Sequence, residues 1–158
     1  MNKPACILLV DDNRMDVELA LDAFREVSLS NRVEVAGNGQ QALDYLLGQG
    51  VFADRERYPL PALILLDLKM PGIDGFDVLR RIKNAPLLRR IPVVILTSSR
   101  EEGDLAMSYD IGANSYLVKP VNFTSFVEAV KQIGGYWLTL NVAPPLPPLD
   151  EAGARGNE

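Results

Sequence analysis

The chain has 158 residues, 47% apolar and 23% charged, with a net charge of −5. That length suits one domain with a full core, and the lack of a Lys/Arg stripe argues against direct nucleic-acid binding. The chain has no histidine, which excludes a His–metal site, a Ser–His–Asp triad, a Cys–His pair and a phosphohistidine of its own.

The first apolar run, residues 5–10 (ACILLV), is too short for a signal peptide and closes on Asp11 and Asp12. A continuous run of this length suits a strand buried on both faces. Its single cysteine, Cys6, has no partner for an internal disulfide and is expected to be a core thiol in a reducing cytoplasm. From residue 15 to 27, Val17, Ala20, Leu21, Phe24 and Val27 recur at helical spacing, with Asp12 or Asn13 as the N-cap. Residues 32–36 read as a second strand. Asn38 with Gln41 forms a capping box for a helix through Leu47.

Residues 48–61 (GQGVFADRERYPLP) make a connection that is long for a helix-to-strand loop. Residues 62–66 form the third strand, ending in Asp67. Pro71-Gly72 breaks the chain, and residues 76–83 supply the third helix. Residues 92–96 form the fourth strand, ending at Thr97, and Ser99 with Glu102 predicts a second capping box for a helix to Ile111. Residues 115–118 are the fifth strand, followed by Lys119-Pro120. Phe123, Phe126, Val127, Val130, Ile133 and Trp137 are expected to line one face of the last helix. The Pro-rich segment 141–158 favours polyproline II and then disorder, and Pro144-x-x-Pro147 matches an SH3-ligand pattern only formally. No run approaches the ~20 apolar residues of a membrane span.

Five βα units in strict alternation imply an α/β fold with a parallel sheet and helices on both faces. Right-handed crossovers make the flavodoxin-like doubly wound order 2-1-3-4-5 the leading topology. Ligands in such sheets bind at the carboxyl ends of the strands, near the switch point between strands 1 and 3. Those ends carry Asp11, Asp12 and Asp67. Each residue alone has an ordinary reading: the Asp pair as an N-cap, Asp67 as a turn opener, Thr97 as a cap, Lys119 as a surface lysine. Jointly, four of the five strands end in a functional group on one edge of the sheet. Crowded carboxylates repel, raise at least one carboxyl pKa and are not balanced by one lysine. A hard divalent cation, Mg²⁺, resolves the conflict.

VDDN at 10–13, LDLKMPGIDG at 66–75, LTSS at 96–99 and YLVKP at 116–120 together resemble the receiver domain of bacterial response regulators. The resemblance spans residues 5–137 and places a receiver domain at 1–140 ahead of the tail. It implies that Asp67 accepts a phosphoryl group from the histidine of a sensor kinase. It also implies that Asp12 binds the metal directly, Asp11 mainly through water, and Lys69 through its carbonyl. Lys119 would pair with the phosphoryl group. Thr97, with Ser98 beside it, and Tyr116 would form the switch, Tyr116 turning inward when Thr97 moves. The Lys119–Pro120 bond would be cis. The Lys69 side chain would either reach toward the phosphoryl group or stay in solvent.

The long 48–61 segment and the ending GGYWLTLNVAPP narrow the resemblance to phytochrome-associated single-domain regulators. These are partners of light-sensing kinases that dimerise through the last helix and strand. A homodimer on the strand 4–helix 5 side, using Phe126, Val130 and Trp137 and braced by residues 137–148, is the corresponding expectation. The chain would not be an enzyme beyond catalysing its own phosphotransfer and slow dephosphorylation. Three other classes compete. A Mg²⁺-dependent phosphohydrolase of the haloacid-dehalogenase type needs Asp-x-Asp where this chain has Asp67-Leu68-Lys69. A flavin carrier needs a phosphate-cradling loop where this chain has two acids. A pseudo-receiver would not need the complete Asp/Asp/Asp/Thr/Lys set.

Overall fold

Three apolar runs build the centre of the molecule: ILLV, LILL and VVILT become β1 (Ile7–Val10), β3 (Leu63–Leu66) and β4 (Val93–Thr97), and VEVA becomes the edge strand β2 (Val33–Ala36). With β5 (Ser115–Val118) they form one sheet in the order β2-β1-β3-β4-β5, and every neighbouring pair is parallel. The description comes from a computed structural model and covers residues 6–26, 32–119 and 123–133. The runs in β1, β3 and β4 are buried throughout, as strands covered on both faces must be. β5, at the edge, is only half-buried.

Alternate strand residues feed two separate cores. Leu8, Val10, Ile64, Leu66, Val93 and Ile95 point toward α2 (Gly39–Leu47) and α3 (Gly75–Asn84). Ile7, Leu9, Leu63, Leu65, Val94 and Leu96 point toward α1 (Arg14–Glu26) and α5 (Phe123–Ile133). The period of two that separates neighbouring strand side chains thus splits each run between two helical layers. The expected α/β architecture and strand order are those observed.

Local signals explain most helix ends. Asn13, not Asp12, caps α1: its side-chain oxygen accepts the Asp16 N–H at 3.0 Å. The Asn38 oxygen accepts the Gln41 N–H at 2.8 Å, and the Gln41 side chain reaches back to the Gly37 N–H at 2.8 Å. The box predicted from Ser99 and Glu102 does not form. α4 (Glu102–Ile111) begins after Glu101, which makes no side-chain cap. Ser99 instead donates its hydroxyl to Asp104, which satisfies the side chain that a capping box would have used.

The 48–61 connection is folded on itself rather than loose. Gly48 takes a left-handed φ of 67° at the end of α2, and the Gln49 N–H bonds the Asp44 carbonyl at 2.9 Å. The Arg55 guanidinium donates to the carbonyls of Tyr45, Leu46 and Tyr58 and so meets acceptors that the helix end leaves open. Tyr58 meets Tyr45 and Phe52 edge to face, and Tyr45 and Phe52 pack at a tilt, beside a one-turn 3₁₀ segment, Gly50–Phe52.

On α5, Phe126, Val127 and Val130 are buried against α1 and the sheet, whereas Phe123, the first residue of the helix, is 41% exposed. Phe126 and Val130 therefore offer no surface to a second copy, because covering the sheet already consumes them. The other expected dimer elements, Trp137 and the segment to residue 148, lie outside the described residues. So do Val27, the tail and the Lys119–Pro120 bond.

Candidate functional site

The parallel sheet delivers β1, β3, β4 and β5 with their carboxyl ends on one edge. The residues that follow them, Asp11, Asp12, Asp67 and Lys119, and the last residue of β4, Thr97, meet there. The register fixes this meeting: Val10 pairs with Leu66, and Thr97 pairs with Val118. Main-chain bonds continue one residue further, from the Asp11 N–H to Ala36 at 3.0 Å, from Asp67 to Val10 at 3.0 Å and from Lys119 to Thr97 at 2.8 Å.

Lys119 organises the site. Its ammonium donates to Asp11 Oδ2 at 2.7 Å, Asp16 Oδ2 at 2.9 Å and Asp67 Oδ2 at 3.1 Å, with its side chain only 8% exposed. Burial alone would push its pKa down. The hydrogen bonds to Asp11 and Asp16 and the charges of Asp67 and Asp11 outweigh that, so Lys119 stays protonated well past the usual lysine range. Asp11 Oδ1 also accepts the Asn13 N–H at 2.9 Å, and Asp67 Oδ1 accepts the Lys69 N–H at 3.3 Å. Thus the two buried carboxylates, Asp11 and Asp67, are each held on both oxygens.

Asp12 differs: it is exposed and bonds to no other described residue. Carboxylate oxygens of Asp11, Asp12 and Asp67 nevertheless come within 4.8 Å of one another. Three hard oxygen donors at that spacing, two in place and one unengaged, fit a divalent cation such as Mg²⁺. The Asp11 carboxyl lies above the ordinary carboxylate range, and the cause corrects the sequence argument. Burial contributes most to the rise, the bonds from Lys119 and Asn13 offset part of it, and the like charge of Asp67 adds least.

Asp16 was invisible to sequence reasoning. An acid in the first turn of a helix reads as a dipole partner, and its N–H is indeed capped by Asn13. Its side chain instead reaches Lys119, 103 residues away in the chain. Three carboxylates, those of Asp11, Asp16 and Asp67, therefore share one ammonium group.

The switch candidates separate. Thr97 is fully buried, and its hydroxyl oxygen accepts the Ser99 N–H at 3.4 Å. Ser98 is exposed and bonds to no other described residue; Ser99 carries the contacts of this loop. The Tyr116 ring packs against the α2–α3 core, with its hydroxyl donated to the Ser99 carbonyl at 3.0 Å. The Lys69 side chain pairs with Asp104 at 3.1 Å while more than half of it stays exposed to solvent; the ion pair was part of neither expectation.

Gly75, in the GIDG run, brings α3 against the phosphoacceptor candidate itself. A Cβ there would stand 2.2 Å from the Asp67 carbonyl oxygen and 2.5 Å from the Leu68 Cα. Both neighbours are backbone, so the loop must move. Gly75→Ala should cost about 2 kcal/mol, the overpacking penalty net of alanine's better helix propensity. Urea unfolding measures this, and an unchanged midpoint would show that the loop yields freely.

Known proteins resemble this chain over most of its length. The family model described as "Response regulator receiver domain" matches residues 7–131. "Probable methanogenesis regulatory protein FilR2" of Methanothrix harundinacea is 42% identical over 89% of this chain and 88% of its own length. "Response regulator Rcp1" of Synechocystis is 38% identical over 90% of this chain and 95% of its own. The crystal structure of its Mn²⁺-bound form superposes with a TM-score of 0.81, at 37% identity over 90% of this chain and all of that one. The structure titled "Bacteriophytochrome response regulator RtBRR" is 49% identical, with a TM-score of 0.73 over 90% and 86% of the two chains. With the order 2-1-3-4-5 bringing Asp11, Asp12, Asp67, Thr97 and Lys119 to one edge, and a family match over nearly every described residue, this chain belongs to the response regulator receiver family.

Proposed function

We propose that this chain is a single-domain response regulator that takes a phosphoryl group onto Asp67 from the phosphohistidine of a sensor kinase. The observation that carries the reading is the Lys119 ammonium, bonded at once to Asp11 and to Asp67 in a buried site. Asp11, Asp12 and Asp67, with the Lys69 carbonyl, would hold Mg²⁺, which when bound supplies positive charge to the transferring oxygens. A carboxylate oxygen of Asp67 forms the bond to phosphorus, the bond from phosphorus to the donor imidazole nitrogen breaks, and the imidazole keeps the electron pair. Lys119 passes from the Asp67 oxygen to a phosphoryl oxygen while Asp11 and Asp16 retain their hold on it. Positioning and charge neutralisation of this kind are most of what phosphoryl transfer asks of a protein.

The Thr97 hydroxyl then donates to another phosphoryl oxygen, and the β4–α4 loop follows it. Signal leaves through the α4-β5-α5 face, to which these helices contribute the exposed Leu105, Tyr109 and Phe123. The chain thus catalyses its own phosphorylation and slow dephosphorylation and acts on no separate substrate. Similarity to a bacteriophytochrome response regulator supports a phytochrome-type kinase as the donor. The free, buried Cys6 accords with the cytoplasm as the compartment.

Intact-mass analysis after acetyl phosphate and Mg²⁺ tests the phosphoacceptor assignment. The parent should gain one phosphoryl group and Asp67→Asn none; undiminished labelling of the variant would refute it. Initial rates of transfer from a panel of phosphorylated kinases test the donor, with a phytochrome-type kinase expected to be fastest.

A further inference from the structure

Lys69 lies two residues after Asp67, and its N–H donates to the Asp67 carboxylate. Its side chain leaves the site. Nζ stands 3.1 Å from Asp104 Oδ2, in the first turn of α4, and 6.0 Å from the centre of the Phe76 ring. The same Asp104 oxygen accepts the Ser99 hydroxyl at 2.6 Å, and the Ser99 carbonyl accepts the Tyr116 hydroxyl at 3.0 Å. The Ser108 hydroxyl closes the group on the Asp104 carbonyl at 2.8 Å. The Ser99 hydrogen bond and then the Lys69 ammonium hold the Asp104 carboxyl below the usual range, against its burial.

α4 has an unusual attachment. Its buried residues are the polar pair Asp104 and Ser108, while Leu105, Met107 and Tyr109 are more than a third exposed. Polar contacts, rather than an apolar face, therefore fasten the first turn of α4 to the β3–α3 loop. Asp104 is their centre.

We propose that Asp104 is a positioning residue that draws the Lys69 ammonium out to α4, keeps it off the phosphoryl group on Asp67, and so sets how long that group survives. The inference rests on Asp67 being the phosphoacceptor. Loss of the group is hydrolysis. A water oxygen bonds to phosphorus, the bond from phosphorus to the Asp67 oxygen breaks, and the carboxylate keeps the electron pair. Inorganic phosphate leaves with one of the water's protons, and the other passes to solvent. With the charge of Asp104 removed, the phosphoryl group, carrying nearly two negative charges, outcompetes the single charges of Asp74 and Glu101 for Lys69. An ammonium bonded there obstructs the path of attacking water.

The test follows acyl-phosphate decay by intact mass in the full-length parent, Asp104→Asn, Lys69→Ala and the double variant, after acetyl phosphate is removed. Asparagine preserves the volume and can still accept the Ser99 hydroxyl, so the loop keeps its anchor. Asp104→Asn should lengthen the half-life about two- to fivefold, the range one partly exposed ion pair can bias. The double variant should return to the half-life of Lys69→Ala. An unchanged half-life in Asp104→Asn, or a lengthening that persists without Lys69, overturns the inference; the second outcome would mean that Asp104 acts through Ser99 alone. A parent that takes no phosphoryl group overturns the phosphoacceptor reading and this inference with it. That result is distinguishable because it appears before any variant is compared.

Discussion

Replacing Lys119 with methionine is expected to destabilise the metal-free protein by about 3 kcal/mol at pH 7.5, the lower end of the cost of breaking a buried ion pair. The side chain is 8% exposed and Asp11 and Asp67 beside it are as deeply placed, so the variant strands two carboxylates. Asp16 is a third exposed and can hydrate, which keeps the loss toward that lower end. The pH dependence has a definite sign. The folded carboxyl of Asp11 already lies above its unfolded value, and without Lys119 it loses its main downward pull. A carboxyl with a raised folded pKa contributes stability below the unfolded pKa, about 3.9, and loses it as pH rises through the folded value. The deficit of the variant should therefore be small near pH 4.5 and grow toward pH 7.5. In the parent, Lys119 has a raised folded pKa, so its contribution is complete below about 10.4 and is lost only in stronger alkali. Urea unfolding of both proteins in EDTA at the two pH values measures the difference. A deficit below about 1 kcal/mol, the scale of an exposed pair, or one equal at both pH values, would remove Lys119 from the centre of the site's energetics. Phosphorylation of Asp67 in Lys119→Met should fall about a hundredfold, the cost of deleting one preorganised donor to a developing charge.

Asp12→Ala should separate metal binding from folding. Asp12 is exposed and Asn13 performs the capping, so the loss of up to ~2 kcal/mol expected from deleting a cap does not apply. In EDTA the variant should match the parent within about 0.5 kcal/mol, as surface changes do, with a slight gain because a carboxylate within 4.8 Å of Asp11 and Asp67 is gone. In Mg²⁺ at about a hundredfold excess over the dissociation constant, the parent should gain roughly 2.7 kcal/mol, and most of that gain should vanish in the variant. Equal gains in both proteins would show that Asp12 is not a metal ligand. A large loss in EDTA would show that it holds the β1–α1 turn.

The sheet and the strand-end residues of the site are legible in the chain's pattern alone. Runs such as ILLV and LILL are apolar at every position, which only a strand covered on both faces can use, and their alternation with helical patterns leaves few topologies. Placing Asp11, Asp12, Asp67, Thr97 and Lys119 at the strand ends then requires no side-chain information, because a parallel sheet puts all those ends on one edge. The Asn38–Gln41 box was equally legible, since its partners are three residues apart.

How those groups are paired emerges from packing in three dimensions. Asp16, in the first turn of α1, has the local pattern of an ordinary helix-start acid, and nothing near it in the chain announces Lys119. Ser99 and Glu102 have the spacing of a capping box, yet Asp104 competes for the Ser99 hydroxyl with a charge-assisted bond, the stronger interaction. Lys69 lies next to the site in sequence, yet its ammonium is taken by an acid from α4. Phe123 fits the helical period of α5 but falls at the exposed start of the helix. Backbone periodicity and caps depend on neighbours within a few residues, so sequence pattern reveals them. An ion pair depends on which side chains the finished fold brings within about 4 Å, and that distance exists only once the sheet and helices have packed.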